Sequence, residues 1–487
     1  MGILSYMDRR NFLINSAAAA ITAQIPLWAQ GIQASSKVIL TIHPDTPQKK
    51  LESSFMGLSY ESGQLASPGF FSATNKHLIE LFRRLGAGGV LRIGGNTSDN
   101  MSWSNQSPPH SSPVFYSAYG PEDAMRRLNR GPITPLAIKK LGDFLHSTNW
   151  KLIYGINLKH GTPEQAAEEA SFVIKTIGSR LIALQIGNEP DLYSHAGVRW
   201  TYQYYYLQWR QFENAIRALN PNAPLAGPDV AHNVEWLAPF AKQASKQVCL
   251  LTSHYYAEGP PSNPNMNIAR LLRPHKQLTN NISAIQQICH DYGVPYRLTE
   301  GNSCYHGGKP GVSDTFASAL WGGDFMFNLA QAGFTGVNFH GGGNGCYSPI
   351  VGGIDAGFTA RPLYYGMLMF SQFKETSFIP STIDSQGLNI TAYASISSNK
   401  EVRLALFNKE PSHAARVHLH VNRTFSETYM FQLSAPSLES KTGVTFGSSQ
   451  VSSSGDWKPY HYKISHHKNG AIIFDLPAAS ATAIVLQ

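Results

Sequence analysis

The sequence has few charged residues, and its basic residues do not cluster. Asp, Glu, Lys and Arg together make up 14% of the chain, and the formal net charge is +8. No run of Lys and Arg is longer than a pair. A positive charge spread in this way does not form the basic patch of a nucleic-acid-binding protein, so we expect no nucleic-acid partner.

Cysteine is equally scarce. The chain has four cysteines, Cys249, Cys289, Cys304 and Cys346, and no C-x-x-C pair. This spacing argues against a structural zinc site and against a disulfide scaffold. Buried free thiols are one interpretation, and a Cys304–Cys346 bridge formed in an oxidising compartment is the other.

The N-terminus has the pattern of a targeting segment. Arg9 and Arg10 precede Asn-Phe-Leu and an Ala-rich apolar stretch, which ends in small residues near Ala29 and Ala34. This pattern is typical of a twin-arginine export signal, and an amphipathic N-terminal helix is the alternative. We predict that residues 1–34 are the signal and that the mature protein is soluble, periplasmic or secreted. No later stretch has the ~18 uncharged apolar residues that a membrane span needs.

Eight short apolar runs, each ending in polar or glycine-rich residues, follow one another along the chain. They are 54–62, 89–99, 151–158, 180–191, 223–230, 248–256, 296–303 and 333–342. Such runs are typical of strands buried on both faces of a parallel sheet. Helical patterns lie between several of them, at 75–87, 134–148, 162–178 and 202–220. The alternation predicts an α/β fold, a (β/α)₈ TIM barrel, with a doubly wound open sheet as the competing architecture.

The pattern changes near residue 376. Short alternating strands separated by Ser, Asn and Gly turns follow, which predicts a C-terminal antiparallel β-sandwich. We expect residues 35–50 to add a strand to this sandwich. We assign residues 51–373 to the catalytic barrel and residues 374–487 to the β-sandwich domain.

Polar residues that end the apolar runs are the candidate site, because TIM-barrel active sites lie at the carboxyl ends of the strands. Glu189, in "IGNEPD", ends strand four, and Glu300, in "LTEGNS", ends strand seven. A lone strand-end Glu is more often a helix cap or half of a salt bridge. Two carboxylates facing one cavity, however, are the catalytic groups of most glycoside hydrolases. The neighbouring Asn188 has an amide that can donate to a sugar hydroxyl.

Three segments resemble the retaining β-glucuronidases and heparanase-like enzymes of glycoside hydrolase family seventy-nine. They are "LRIGGNTSD" after strand two, "IGNEPD" after strand four and "LTEGNSCYHGGKPGVSDTFASALWGGD" after strand seven. Asn-Glu-Pro alone marks only a wider clan of barrels, whereas residues 298–324 point to this family. The resemblance implies a double-displacement mechanism with Glu189 as acid/base and Glu300 as nucleophile.

The resemblance also implies how the sugar carboxylate is held. Tyr305 and the backbone N–H groups of His306, Gly307 and Gly308 are similar to the part that binds it, and Tyr347 matches a second hydroxyl donor. Glycines let backbone donors approach an anion closely. A plain loop turn is the alternative for the two glycines, and His306 departs from an all-glycine loop.

Other strand-end residues complete the predicted site. Tyr256 resembles the clan tyrosine that donates to the nucleophile, with aromatic packing as the alternative, and Tyr255 is a candidate substrate contact. Glu61, Asn96 and Asp99 are candidates for contacts with glycone hydroxyls, with a structural role as the alternative for each. Arg92 is expected to order the carboxylates from within the barrel.

We therefore expect a hydrolase that removes β-linked glucuronate, or its 4-O-methyl form, from oligo- or polysaccharides. The alternatives are another barrel-plus-sandwich glycosidase, such as an α-arabinofuranosidase or a glucosylceramidase-like enzyme, and a non-catalytic glycan-binding barrel. His160 and the pair His466–His467 lack partners at metal-ligand spacing, so we expect no metal and no cofactor. No pattern indicates an oligomeric state.

Overall fold

The computed structural model shows a closed parallel barrel joined to two sheets that share a second core. It describes residues 36–67, 69–105, 132–341, 345–464 and 472–487. The export signal predicted for residues 1–34 and the pair His466–His467 lie outside these ranges. Within them, no helix is both long and apolar enough to cross a bilayer.

The barrel strands, numbered one to eight along the chain, match the eight apolar runs. They are Gly57–Glu61, Val90–Gly94, Lys151–Ile156, Leu181–Ile186, Leu225–Val230, Leu250–Glu258, Tyr296–Cys304 and Val337–His340. Each strand pairs in parallel with the next, and strand eight pairs with strand one, so the sheet closes. The predicted TIM barrel is confirmed.

The α-helices cover the outside of the barrel. They are Lys76–Arg84, Pro135–Thr148, Pro163–Ile177, Tyr202–Leu219, Leu237–Ala244, Ile268–Leu272, Lys276–Tyr292, Phe316–Gln331 and Pro362–Ser371. Shorter 3₁₀ turns are Ser53–Phe55, Ser62–Ala66, Asn96–Asn100, Gly178–Arg180, Pro190–Leu192 and Val234–Trp236.

Two of the α-helices begin at residues whose side chains cap the helix N-terminus. Thr134 and Thr162 each accept a backbone N–H, and each is followed by proline at the first helical position.

The chain after the barrel, together with one strand that precedes the barrel, forms two sheets. The first has the strand order Ser381–Asp384, Ser36–Ile42, Ala415–His420, Ile472–Leu476. The second has the order Ser377–Phe378, Ile390–Ile396, Val402–Asn408, Ser480–Leu486, Thr428–Ser434, Thr445–Phe446, with Tyr462–Lys463 beside Thr428–Ser434. Two-stranded pairs are Ser102–Trp103 with Pro132–Ile133, Ser194–His195 with Val198–Arg199, and Ile350–Gly353 with Gly357–Ala360.

The sandwich is not wholly antiparallel. Ser36–Ile42 runs parallel to Ala415–His420 and antiparallel to Ser381–Asp384. Because this strand precedes the barrel, no hairpin turn fixes its direction relative to its neighbours. Elsewhere the two sheets pair antiparallel, as expected. Cys304 and Cys346 are free thiols, so the alternative of a bridge between them is not realised.

The barrel interior has an apolar lower layer and a polar upper layer. Val90, Ile153, Ala183, Ala226 and Leu250 form a separate buried cluster near the amino ends of the strands. Nearer the carboxyl ends, the interior is filled by buried polar side chains, which support the site described next.

Candidate active site

A polar cavity of about 300 Å³ opens at the carboxyl ends of the barrel strands, and we call it the catalytic cavity. Most of the predicted site residues line it. They are Glu61, Asn96, Asp99, Asn188, Glu189, Tyr256, Glu300, Tyr305, His306, Gly307 and Tyr347. A larger cavity of about 740 Å³ lies between the helix Phe316–Gln331 and the sandwich. Its partly buried carboxylate, Asp324, is paired with Lys409, so size alone does not locate the chemistry.

The two predicted catalytic carboxylates lie close together. One oxygen of Glu189, one oxygen of Glu300 and a ring nitrogen of His254 lie within 4.8 Å of one another. Glu189 adopts a left-handed backbone conformation, with φ of 53°. Its N–H donates to the Asp229 carbonyl at 2.9 Å. This turn, followed by Pro190, ends strand four and directs the Glu189 side chain to the cavity.

Glu300 is surrounded by donors. Arg92 Nη1 donates to Oε2 at 2.6 Å, and the Tyr256 hydroxyl donates to Oε1 at 2.7 Å. Burial by itself would raise the pKa of the Glu300 carboxyl. The positive charges of His340, His254 and Arg92 act in the opposite direction and, with the Tyr256 hydrogen bond, hold that pKa well below its ordinary value. Glu300 is therefore ionised at neutral pH, as its predicted role of nucleophile requires.

Arg92 and Asp229 form a fully buried pair beneath the carboxylates. Arg92 Nη2 donates to Asp229 Oδ2 at 2.8 Å and to Asn188 Oδ1 at 2.8 Å. Arg92 Nε donates to Gln185 Oε1 at 3.0 Å. Burial would raise the pKa of Asp229, but the charges of His254 and Arg92 outweigh it, and the net pKa is lowered.

His254 links the acid/base candidate to this pair. Its Nδ1 lies 2.9 Å from Glu189 Oε1, and its Nε2 lies 3.2 Å from Asp229 Oδ2. Burial lowers the pKa of His254, but Asp229 and Glu300 raise it further, so the net pKa lies well above its ordinary value. The imidazole is therefore charged at neutral pH: Nδ1 donates to Glu189, and Nε2 faces Asp229 as an ion pair.

Glu189, His254 and Glu300 offer the atoms of a metal site. Those atoms already have hydrogen-bond partners, and a metal ion among them would stand beside the charge of Arg92, which donates to Glu300 Oε2 at 2.6 Å. The donor set therefore does not fit a metal ion, because like charges this close repel strongly in a buried site.

The loops after strands seven and eight meet at one side of the cavity. His306, Gly307 and Gly308 have φ values of 57°, 84° and 90°, a run that glycine adopts without strain and His tolerates better than most residues. The Tyr347 N–H donates to the Gly307 carbonyl at 3.3 Å. A Cβ on Gly308 would lie 2.8 Å from the Tyr347 nitrogen. Gly308 thus packs behind Tyr347 and does not line the cavity.

Glu61 lies at the end of strand one. Its Oε2 accepts from the Thr97 backbone and hydroxyl at 2.8 and 2.7 Å, and its Oε1 lies 3.3 Å from His340 Nε2. Nearby, Asn188 Nδ2 donates to Asn96 Oδ1 at 3.2 Å. These side chains form one hydrogen-bonded wall of the cavity.

Asp99 lies on the same wall and accepts a short hydrogen bond from the Tyr193 hydroxyl. Lys159 Nζ lies 3.9 Å from Asp99 Oδ2 and 4.8 Å from the Tyr193 ring centre. Burial raises the pKa of Asp99 to about 7, against the opposing effects of Tyr193 and Lys159.

Tyr255 lies outside the cavity, contrary to expectation. Side chains alternate along strand six, so Thr252, His254 and Tyr256 face the barrel interior while Tyr255 faces outward. The Tyr255 ring stacks on Phe325 of a surrounding helix, with centroids 5.6 Å apart and planes at 17°.

Several cavity residues were not predicted: Lys159, Leu192, Tyr193, His232 and His340. His340 ends strand eight, so the strand-end rule that selected Glu300 would have selected it as well. His254 and Gln185 lie within their strands, where only the direction of each side chain and the closure of the barrel bring them under the carboxylates.

Comparison with known proteins gives relatives in sequence. No protein-family model matches the chain. A β-glucuronidase of Aspergillus niger is 25% identical over 445 residues, 81% of this chain and 79% of that protein. A β-glucuronidase of Neurospora crassa is 27% identical over 439 residues, 79% of this chain and 74% of that protein. Rat heparanase is 25% identical over 281 residues, 52% of this chain and 48% of that protein.

Solved structures show the same fold. A 4-O-α-L-rhamnosyl-β-D-glucuronidase from Fusarium oxysporum superposes with a TM-score of 0.73 at 20% identity, over 92% of this chain and 100% of that chain. An arabinofuranosidase from Xanthomonas axonopodis superposes with a TM-score of 0.65 at 14% identity, over 93% of this chain and 100% of that chain. The predicted resemblance is confirmed, and so is the prediction of a glycoside hydrolase.

Proposed function

We propose that this chain is a retaining β-glucuronidase that releases glucuronate, or its 4-O-methyl form, from glycans. One observation carries the proposal: an oxygen of Glu189 and an oxygen of Glu300 lie within 4.8 Å at the floor of the catalytic cavity. Carboxyl groups ~5–5.5 Å apart are typical of retaining glycosidases, whereas inverting enzymes keep them ~6.5–9.5 Å apart to admit a water.

In the first step, Glu300 attacks the anomeric carbon and Glu189 gives its proton to the leaving oxygen. The bond from carbon to the leaving group breaks, and a glycosyl ester forms on Glu300. The lowered pKa of Glu300 keeps the attacking oxygen unprotonated. Arg92 and Tyr256 hold both carboxylate oxygens and so aim the nucleophile.

In the second step, water attacks the anomeric carbon while Glu189 accepts its proton. The ester bond breaks, and Glu300 returns as a carboxylate. Two inversions retain the β-configuration. The single hydrogen bond from His254 to Glu189 fixes the side chain without occupying its second oxygen.

Selection of glucuronate is assigned to the loops after strands seven and eight. Tyr305, His306, Gly307 and Tyr347 line the same side of the cavity. Hydroxyl and backbone N–H donors suit a carboxylate there, because they bind an anion without a full countercharge next to Glu300. The sequence relatives named β-glucuronidase support this assignment.

The test is hydrolysis of an aryl β-D-glucuronide beside the matching β-D-glucoside and α-L-arabinofuranoside, with the product anomer followed by NMR. We expect turnover of the glucuronide, with the β-anomer appearing first. Preference for either neutral sugar would contradict the carboxylate site. Initial release of the α-anomer would contradict the retaining pair.

Export belongs to the same proposal. Residues 1–34, with Arg9 and Arg10, are proposed to direct the enzyme out of the cytoplasm by the twin-arginine route. Cell fractionation of the native chain and of an Arg9→Lys, Arg10→Lys variant tests it. We expect the native enzyme outside the cytoplasm and the variant inside. Equal distribution of the two would contradict the route.

A further inference from the structure

A second polar cavity lies beside the catalytic cavity. It has a volume of about 260 Å³, and we call it the Trp200 cavity. Lys159 lines both cavities and forms the wall between them. The Trp200 cavity is built from the loop after barrel strand three, the hairpin Ser194–His195 with Val198–Arg199, and the helix Tyr202–Leu219.

The chemistry of its lining is that of a sugar-binding site. The aromatic rings of Trp200 and Tyr204 stand beside the side-chain amides of Gln208 and Gln211. Tyr204, Gln208 and Gln211 are spaced four and three residues apart, so they share one face of their helix. Neither amide has a hydrogen-bond partner among the described residues, so both are available to hydroxyl groups.

The aromatic part of this cavity is fixed before any ligand arrives. The backbone N–H of Trp200 donates to the backbone carbonyl of Tyr193 at 2.9 Å. The Trp200 ring makes edge contacts with the rings of Tyr193 and Tyr204, with centroids 5.1 and 4.8 Å apart. Tyr193 in turn bonds Asp99 in the catalytic cavity. A site organised in this way loses little entropy on binding.

The charge of the Trp200 cavity differs from that of its neighbour. Its lining includes Lys159, His160 and His195 and no Asp or Glu, whereas four carboxylates line the catalytic cavity. It therefore accepts a neutral or an acidic ligand but disfavours a cation.

We propose that the Trp200 cavity binds a further sugar residue of the glycan whose glucuronate occupies the catalytic cavity. The inference rests on the proposed function and extends it: the preferred substrate is a glucuronate within a glycan of at least two sugars, not a glucuronide of a small alcohol. The ligand is a pyranose whose hydroxyls meet the amides and whose ring meets the aromatic side chains.

The experiment compares an aryl β-D-glucuronide with two sets of glucuronate-terminated oligosaccharides, one otherwise neutral and one carrying further acidic groups. The variants are Tyr204→Ala and the double variant Gln208→Ala, Gln211→Ala. Tyr204 is 45% exposed, so its removal leaves the core intact. Tyr460→Ala, at a tyrosine 61% exposed on the sandwich, is the matched control.

We expect both variants to raise KM for oligosaccharides about tenfold, a loss of roughly 1.4 kcal/mol, with kcat little changed. KM for the aryl glucuronide should stay within about twofold of the native value, since no further sugar is present to lose its contacts. The Tyr460→Ala control should match the native enzyme on every substrate. A higher KM of the variants for either set of oligosaccharides supports sugar binding in the Trp200 cavity. The set with the larger rise in KM shows whether the bound sugar is neutral or acidic.

Equal effects on short and extended substrates, or no effect on either, would overturn the inference. Failure of the native enzyme to hydrolyse any glucuronide would instead overturn the proposed function. In that case, titration calorimetry with the same oligosaccharides tests the Trp200 cavity directly. Binding weakened by Tyr204→Ala but not by Tyr460→Ala supports it, and absent or unaltered binding rejects it.

Discussion

Tyr255 and Tyr256 are neighbours in the sequence but lie on opposite sides of barrel strand six. Tyr256 faces the interior and donates to Glu300 at 2.7 Å, while Tyr255 stacks on Phe325 outside the barrel. The hydrogen bond from Tyr256 is one of the interactions that lower the pKa of Glu300. The two tyrosines therefore provide a matched pair for testing that interaction.

We predict that Tyr256→Phe lowers kcat/KM roughly ten- to hundredfold, because a hydrogen bond to a charged group is lost next to the reacting atom. Without the donor, the pKa of Glu300 rises. Since Glu300 must be ionised to attack, the acidic limb of the pH profile of kcat/KM should move to higher pH. The measurement is that profile on an aryl glucuronide.

Tyr255→Phe is the control for this prediction. It removes the same hydroxyl one residue away and leaves the contact with Phe325 in place. Its pH profile should match that of the native enzyme. Equal losses in both variants would mean that Tyr256 acts through packing and not through its hydrogen bond.

Three non-glycine residues at or beside the catalytic cavity have a left-handed backbone conformation. Glu189, Asp229 and His306 have φ values of 53°, 60° and 57°, in the left-handed region that non-glycine residues rarely adopt. Each such residue costs ~1–3 kcal/mol, and such residues cluster at active sites. The hydrogen bond from the Glu189 N–H to the Asp229 carbonyl joins two of them and helps to hold the acid/base candidate in place.

At the scale of an element, the helix Pro163–Ile177 carries a buried acid that the proposed mechanism does not use. Glu169 accepts from the Tyr154 hydroxyl of barrel strand three at 2.6 Å, and both side chains are buried. Burial raises the pKa of Glu169 to about 7, although the Tyr154 hydrogen bond opposes the shift. Folding therefore favours the protonated acid.

The sign of the pH dependence follows from that raised pKa. In the unfolded chain Glu169 ionises near its ordinary pKa of 4.5, while the folded protein keeps the proton up to about pH 7. The contribution of Glu169 to the free energy of unfolding is fully present below pH 4.5 and is lost as the pH rises through 7. Glu169→Gln should thus gain roughly 2 to 3 kcal/mol relative to the native protein between pH 5 and pH 8.

Urea unfolding of both proteins at the two pH values measures this gain. Glu168→Gln, which removes a carboxylate from an exposed position on the same helix, is the matched control variant. A constant difference for Glu169→Gln would mean that the acid is ionised in the folded state.

At the scale of the whole molecule, the barrel and the sandwich are joined by a partly buried polar cluster set among aromatic rings. Asp324 of the helix Phe316–Gln331 accepts from Thr391 and Tyr393 at 2.6 and 2.8 Å and pairs with Lys409 at 2.5 Å. Beside it, the rings of Phe327 and Tyr393 stack with centroids 5.1 Å apart. The sandwich thus packs directly on a barrel helix.

We predict that Asp324→Asn lowers the free energy of unfolding by about 3 kcal/mol, because it leaves the buried Lys409 ammonium without a counter-charge. Denaturant unfolding measures the change. Asp475→Asn, which breaks the exposed pair of Asp475 with Arg416, should have little effect. If the two variants were equally stable, the cluster would not hold the two parts of the molecule together.

The sequence by itself determined the repeated units and the chemistry at their ends. Short continuous apolar runs, each ending in polar or glycine-rich residues, are typical of strands buried on both faces of a sheet, so the eight strands could be located from hydrophobicity, run length and flanking residues. Capping residues such as Thr162 fixed helix starts because that interaction is local. Glu189 and Glu300 could be selected because each is a charged residue at the end of an apolar run that is predicted to be a buried strand.

Only the tertiary structure decided what surrounds those carboxylates. His254, Asp229 and Gln185 come from different strands, and the closed barrel brings them together. Local patterns carry no information on such contacts, because side-chain direction depends on strand register and the partner is distant in sequence. For the same reason, Tyr255 turned outward, Gly308 packed behind Tyr347, and the cavity beside Lys159 had no counterpart in any motif.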